Sequence, residues 1–237
     1  MDRNGNQHKQ IEIKQTASRI TIEGEHICLF ILKRVPIEGE VPDDQPEFEF
    51  EIEITPILNA PYQLSRVTIP LKDLKVCLTY RYMYERRAIR FVTKLEAKEY
   101  IINFKSEKHK QKVLKHLLKL AAPHLDITMQ GLDCQSAVVS DLATQVINEY
   151  TRKWQTGMLS NAEYLSFLNF AANRSYNDTT QYPIFPWVVS DYKNDTFPEE
   201  KFFSSSDQRT SRGWRDLSKP IGSLGHEKLE RFKSKYF

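Results

Sequence analysis

The chain has 237 residues and a net charge of +3, which allows one or two domains. That small charge is no argument for nucleic acid, which usually calls for a concentrated basic face. With 40% apolar and 27% charged residues, the chain has the composition of a folded protein with a real core.

Cys28, Cys77 and Cys134 are odd in number and widely spaced. They suggest neither a disulfide framework nor a zinc site, and read as packed thiols of a reducing compartment. The start of the chain, from Asp2 to Lys9, has no apolar run for a signal peptide. No stretch approaches the roughly 20 apolar residues of a membrane span. The expected location is cytoplasmic, with peripheral membrane contact. Asn173-Arg-Ser, Asn177-Asp-Thr and Asn194-Asp-Thr match a glycosylation sequon that a cytosolic chain leaves unused.

Residues 1–9 are polar and expected to be a disordered tail. From Ile11 to about Asn103 the pattern is β. Ser18, Ile20 and Ile22 alternate with Arg19, Thr21 and Glu23, and Gly24-Glu25 suits a tight turn. His26 to Leu32 is nearly all apolar, as in a strand covered on both faces. Pro36 to Pro46 reads as an acidic loop. Glu47 to Ile54 alternates strictly, with Phe48, Phe50, Ile52 and Ile54 on one face and four glutamates on the other. Tyr62 to Ile69, Lys75 to Glu85, Ile89 to Thr93 and Tyr100 to Phe104 supply shorter strands.

Ser106 suits the cap of a helix whose stripe is Val113, Leu114, Leu117, Leu118 and Ala121. Lys108, Lys110, Lys112, Lys115 and Lys119 fill its other faces and are expected to point outward, and Pro123 follows its end. After a mixed connection, Asp141 opens a second helix with Leu142, Val146, Ile147, Tyr150 and Trp154 on one side, ended by Gly157. Ser160 and Glu163 form a capping box for a third. Leu224 to Phe237 starts another, with Leu229, Phe232 and Tyr236 on one face.

The run Arg174 to Tyr192 is neither helix nor simple strand. Pro183 and Pro186 exclude a helix interior, and Tyr182 and Phe185 before them are pushed toward extended geometry. Tyr176, Ile184, Trp187, Val188 and Val189 add more apolar area than a solvated loop carries. The expectation is an extended segment threaded through a core, whose orphan backbone groups pair with Arg174, Asn177, Asp178, Gln181 and Asp191.

These residues carry a resemblance. Arg174-Ser-Tyr-Asn-Asp178, Gln181-Tyr-Pro-Ile-Phe-Pro-Trp-Val188 and Arg215-Asp-Leu-Ser-Lys-Pro-Ile-Gly222 resemble the opening signature of the BEACH domain, named after the Beige and Chediak-Higashi proteins. Trp154-Gln155, Leu159-Ser-Asn161 and Glu163-Tyr-Leu165 resemble its entry. Ile69 to Val92 is similar to the PH-like module that precedes such domains. The resemblance implies an α+β chain. Residues 10–123 are a PH-like antiparallel β-barrel capped by a C-terminal helix, and 124–140 are a linker. Residues 141–237 are the N-terminal part of a BEACH domain, mainly helical with a partly extended core. The domain continues beyond this chain in the family, and WD repeats usually follow it. Trp154, Leu159-Ser-Asn161 and Glu227-Lys-Leu-Glu-Arg231 look most like the subfamily of the factor associated with neutral sphingomyelinase activation. Two departures stand out: Asn173 replaces a small or flexible residue, and the Lys193–Trp214 loop is long and lacks an acidic-leucine motif.

The resemblance implies a non-catalytic scaffold or adaptor in vesicle or lysosomal traffic. Its PH-like and BEACH modules pack together and present a surface to proteins of membrane traffic. The signature residues are Arg174, Tyr176, Asn177, Asp178, Gln181, Tyr182, Pro183, Phe185, Pro186, Trp187, Arg215, Asp216, Leu217, Ser218, Lys219 and Pro220. They are read as structural core, with Arg174 paired to Asp178 or Asp216. An acid–base site of Arg174, Asp178, Asp216 and Lys219 is the rival. Among the residues no phosphate loop, metal spacing or nucleophile pair stands out, so no cofactor, metal or catalytic residue is expected. Arg81, Arg86, Arg87, Arg90, Lys112 and Lys115 are the candidate lipid or partner contacts. They carry the alternative reading, a phosphoinositide-binding membrane adaptor.

Overall fold

The computed structural model describes residues 10–21, 23–36, 48–57, 65–126, 132, 141–190, 192–193, 214–215, 217 and 219–236. The expected tail at 1–9, the acidic loop, Cys134, most of the linker and most of the 193–214 loop lie outside them, as do Asp191, Asp216 and Ser218. The chain divides into two compact units, residues 1–183 and 184–237.

The first unit holds seven strands: β1 (Gln10–Thr21), β2 (Gly24–Pro36), β3 (Phe48–Pro56), β4 (Val67–Pro70), β5 (Leu74–Tyr82), β6 (Glu85–Thr93) and β7 (Glu99–Phe104). All pair antiparallel in the order β4-β3-β2-β1-β7-β6-β5. No ladder joins β4 to β5, so the sheet is open where a closed barrel was expected. Pro70 ends β4 after four residues, because it lacks an N–H. A single 3-10 turn, Leu71–Asp73, then leads into β5.

Phe30 of β2 stacks on Phe91 of β6 at 6.1 Å and meets Phe104 of β7 edge-on at 5.5 Å. Helix α1 (Glu107–Ala121) adds Val113, Leu114, Leu117 and Ala121 to the same core. Ser106 caps it, its side chain accepting from His109 N. The expectation that the helix lysines all point outward fails at Lys110, which is 1% exposed. Cys28 and Cys77 are buried, and burial pushes the Cys28 thiol up to about 11.

Strand β2 alternates, with Cys28, Phe30 and Leu32 inside and Ile27 exposed, so it is not covered on both faces. The outer faces of β2 and β3 are tied by charge. Lys33 and Arg66 each reach Glu53 at 2.6 Å, and Thr55 donates to it at 2.9 Å. Burial opposes ionisation of Glu53, but these donors outweigh it and hold the carboxyl down at about 2. The stretch expected as one strand from Lys75 to Glu85 is broken by a tight turn. Met83 and Tyr84 sit at φ 46° and 66°, the left-handed geometry of a two-residue hairpin.

Helices α2 (Asp141–Gln155) and α3 (Asn161–Ala171) pack together through Ala143, Val146 and Phe167, with Tyr150 stacked on Phe167 at 3.7 Å. Gly157, at φ 76°, turns the chain between them. The capping box of Ser160 and Glu163 is formed. Trp154 stacks on Tyr164 and donates to Asn161 at 2.8 Å.

In the second unit, Val189 and Trp214 form one antiparallel bridge. Arg215 N donates to Val188 O at 2.7 Å, and its side chain donates to Trp187 O. A 3-10 turn, Ile221–Ser223, precedes helix α4 (His226–Tyr236). No helix among the described residues is long and apolar enough to cross a membrane.

Candidate functional site

Strands β5 to β7 have a second face, away from the main core. There Ile20, Tyr80, Ala88 and Ile101 form a small buried cluster. Residues 167–182, from the end of α3 through the start of the signature, hydrogen-bond to the polar groups beside it.

Arg90 is the centre. It lies on β6 between apolar neighbours and is 4% exposed. It forms an ion pair with Glu99 of β7 and donates to Phe170 O at 3.3 Å and Arg174 O at 3.0 Å. Its guanidinium lies 4.0 Å from the Phe170 ring centroid. Phe170 is in the last turn of α3, where carbonyls lack helical partners and a cation is favoured. Burial pulls the Arg90 pKa below its usual value, with Glu99 opposing. One arginine thus ties two strands to a helix end, with its charge balanced by Glu99.

After α3 the chain must reverse, and Asn173 does it at φ 60°. Asparagine enters this left-handed region more easily than other side chains. The departure from the family pattern at this position therefore meets the backbone requirement that a small residue would meet. Ser175, buried next in line, donates to Glu99 and accepts from Asn177 N at 3.0 Å. Asn177 Nδ2 donates to Glu99 O at 3.3 Å.

Asp178 is 1% exposed. Its Oδ1 accepts from Thr180 N at 2.9 Å and Thr180 Oγ1 at 2.7 Å, capping the turn Thr179–Gln181. Its Oδ2 accepts from Tyr80 Oη at 2.9 Å and Gln181 Nε2 at 3.2 Å. Gln181 also donates to Arg81 O. Burial, then the Asp178 charge, raises the Tyr80 pKa strongly, so the phenol stays a donor. With four donors satisfied, this carboxylate is a structural acceptor.

The expected pairing of Arg174 with Asp178 is replaced. Arg174 Nη1 donates to Tyr182 O at 3.1 Å; Asp216 lies outside the described residues. The expected burial of the aromatic ribbon is also overturned. Trp187 is 63% exposed, Ile184 62% and Phe185 36%, and Tyr176, Tyr182 and Tyr192 are exposed as well. The physical reason is local: the Val189–Trp214 bridge and the Arg215 bonds hold the backbone, while Trp187 and Tyr192 pack edge-on against each other and stay largely exposed. Leu217 and Pro220 are exposed and Lys219 is partly buried.

Arg90 is likewise lost as a lipid or partner contact, because it is buried and its charge is balanced by Glu99. Arg81 is exposed beside the Tyr84 ring, Arg86 and Arg87 are half-buried with Arg87 paired to Glu85, and Lys112 and Lys115 are exposed on α1. A cleft of about 390 Å³ runs past Leu78, Arg81, Arg86, Phe170, Asn173 and Gln181. Among the described residues no group of three or more metal-ligating side chains converges. Tyr80, Glu99 and Ser175 were not singled out from sequence. The continuous apolar run around Tyr80 and the arginine amid apolar residues in β6 were the available signals.

The signature that supplies Asp178 can be placed among known proteins. Residues 152–237 match the family model of the Beige/BEACH domain. This stretch is similar to the BEACH domain. The BEACH domain-containing protein lvsE of Dictyostelium discoideum is 33% identical over 168 residues, 70% of this chain. A putative neurobeachin homolog of Caenorhabditis elegans is 42% identical over 84 residues, 35% of this chain. The chain spans 7% and 3% of the length of these two relatives. Among solved structures, the carboxyl-terminal PH domain of pleckstrin is 13% identical with a TM-score of 0.32, covering 48% of this chain and 99% of that one. The BEACH match begins in α2, so it includes α3, the reversal at Asn173 and the whole of the signature.

Proposed function

We propose that this chain is part of a non-catalytic scaffold of vesicle or lysosomal membrane traffic. In this reading residues 10–123 are a PH-like module, 141–237 are the N-terminal part of a BEACH domain, and the two dock to present one protein-binding surface. BEACH-domain proteins are associated with vesicle traffic and scaffolding, and the seven-strand order followed by α1 suits a PH-like module. The observation that carries the docking is the polar network of Tyr80, Arg90 and Glu99 with Ser175, Asn177 and Asp178. Each of these groups is spent on another group of the same network, which supports holding over turnover. The cleft beside Arg81 and Gln181 is the natural recess of the combined surface. The motifs around Trp154 and Glu227 resemble those of the subfamily of the factor associated with neutral sphingomyelinase activation, which supports reading the chain as one of its members. The protein is cytoplasmic and peripheral on membranes in this account.

The test is proximity labelling in cells with the full 237-residue chain. It should label vesicle or lysosomal proteins above a control, and the double variant Tyr80→Phe/Asp178→Ala should lose that labelling. A chain that labels none of them, or whose labelling survives the double variant at equal abundance, refutes the reading.

A further inference from the structure

Helix α1 carries a second feature that the docking network does not use. Its inner side is fixed in the core by Val113, Leu114, Leu117 and Ala121. Lys108, Lys112, Lys115 and Lys119 are all exposed on the outside. At about 100° per residue these four fall within an arc of roughly 60°, along a line of about 16 Å. Glu107 is the only acid on the helix, and its ion pair is with the buried Lys110. None of the four lysines has an ion-pair partner among the described residues. The burial of the inner face sets the rotation of the helix, so the row cannot turn away from solvent without opening the core.

We infer that this row is a docking face for an anionic membrane leaflet, read through its bulk charge. The shape of the row favours a plane over a pocket. The cations are in file along a rigid rod, whereas one headgroup needs donors converging on a point. The residue type agrees: ammonium groups act as point charges, while the guanidinium fork that grips phosphate is absent from the row. No exposed large apolar side chain of the described residues lies on α1, so the contact is superficial and has no inserted anchor. The row also lacks the aromatic platforms used for single-stranded nucleic acid. The inference goes beyond the scaffold reading and does not rest on it, since α1 lies outside the docking network.

The test is flotation of the full chain with vesicles of phosphatidylcholine containing about 30% phosphatidylserine, against phosphatidylcholine alone. Binding should require the anionic lipid and disappear near 1 M salt, where the screening length is about 3 Å. Each lysine near an anionic leaflet contributes about fivefold, so Lys112→Gln/Lys115→Gln should weaken binding roughly twentyfold or more. The variant should keep its thermal midpoint, because both side chains are exposed. Replacing phosphatidylserine by a phosphoinositide at equal total charge should not improve binding. Four results would each overturn the inference: no binding, selectivity for one headgroup, binding indifferent to the double variant, or polyglutamate captured more tightly than vesicles of matching charge.

Discussion

Asp178→Ala is the most direct perturbation of the docking network. It removes the acceptor for four donors: Tyr80 Oη, Thr180 N, Thr180 Oγ1 and Gln181 Nε2. Thr180 is exposed and regains water, so its share is a lost turn cap, about 1 kcal/mol. Tyr80 has no such escape, being fully buried, and a stranded buried donor costs about 1–3 kcal/mol. The expected loss is therefore about 2–4 kcal/mol. Tyr80→Phe alone removes one donor from an acceptor that keeps three, and should cost about 1.5 kcal/mol. The double variant removes donor and acceptor together, so its loss should fall short of the sum by about 1–2 kcal/mol. Equilibrium unfolding in urea measures this. Trp154, Trp187 and Trp214 all lie outside the sheet, so their fluorescence follows the C-terminal part while circular dichroism follows the whole. Single effects that add to within about 0.5 kcal/mol would refute the coupling.

Arg90→Met should destabilise by about 3–5 kcal/mol in the same assay, since Glu99 keeps a charge in a site that has lost its counter-charge. Adding Glu99→Gln should restore a large part of that loss, and a double variant as weak as the single would count against the pair. At Asn173, glycine should be neutral within about 0.5 kcal/mol, whereas valine should cost about 1–2 kcal/mol through the left-handed backbone; thermal melts distinguish them. Glu53 sets an acid limb. Its folded value of about 2 lies below its ordinary 4.5, so its contribution is complete above that ordinary value and is lost as pH falls toward 2. The amount is at most about 3 kcal/mol, and Glu53→Gln should flatten that limb of the urea midpoint against pH.

The strands were readable wherever one face meets a core and the other meets water. Phe50, Ile52 and Ile54 against Glu49, Glu51 and Glu53 is such a case, and β3 follows it. The hairpin at Met83-Tyr84 left no trace, because two left-handed positions normally announce themselves with asparagine or glycine. Closure of the sheet was equally hidden. Whether β4 meets β5 depends on how the chain passes Pro70 and the following 3-10 turn, which alternation does not encode. The helix ends were plain, since Ser106, Ser160 and Glu163 cap by short-range chemistry that three residues of sequence contain.

The signature shows where reading by composition stops. Its polar residues were expected to satisfy the segment's own backbone groups; Arg174 does so at Tyr182 O, whereas Asn177 and Gln181 reach strand carbonyls instead, Glu99 O and Arg81 O. Their partners lie 8 to 100 residues away, and local pattern carries no record of a partner at such distance. The same limit explains the misplaced charge. An arginine beside Arg86 and Arg87 looks like one more member of a basic patch until the fold supplies Glu99 from the next strand. Burial of the aromatics was inferred from their area alone. In this chain carbonyls of the ribbon at Tyr182, Trp187 and Val188 have partners while most of its rings are exposed, so hydrogen-bond satisfaction and burial are separate demands. Asp178 meets both because strand β5 brings Tyr80 to it. Trp187 meets one, because Arg215 reaches its carbonyl while the indole, touched edge-on by Tyr192, stays largely exposed.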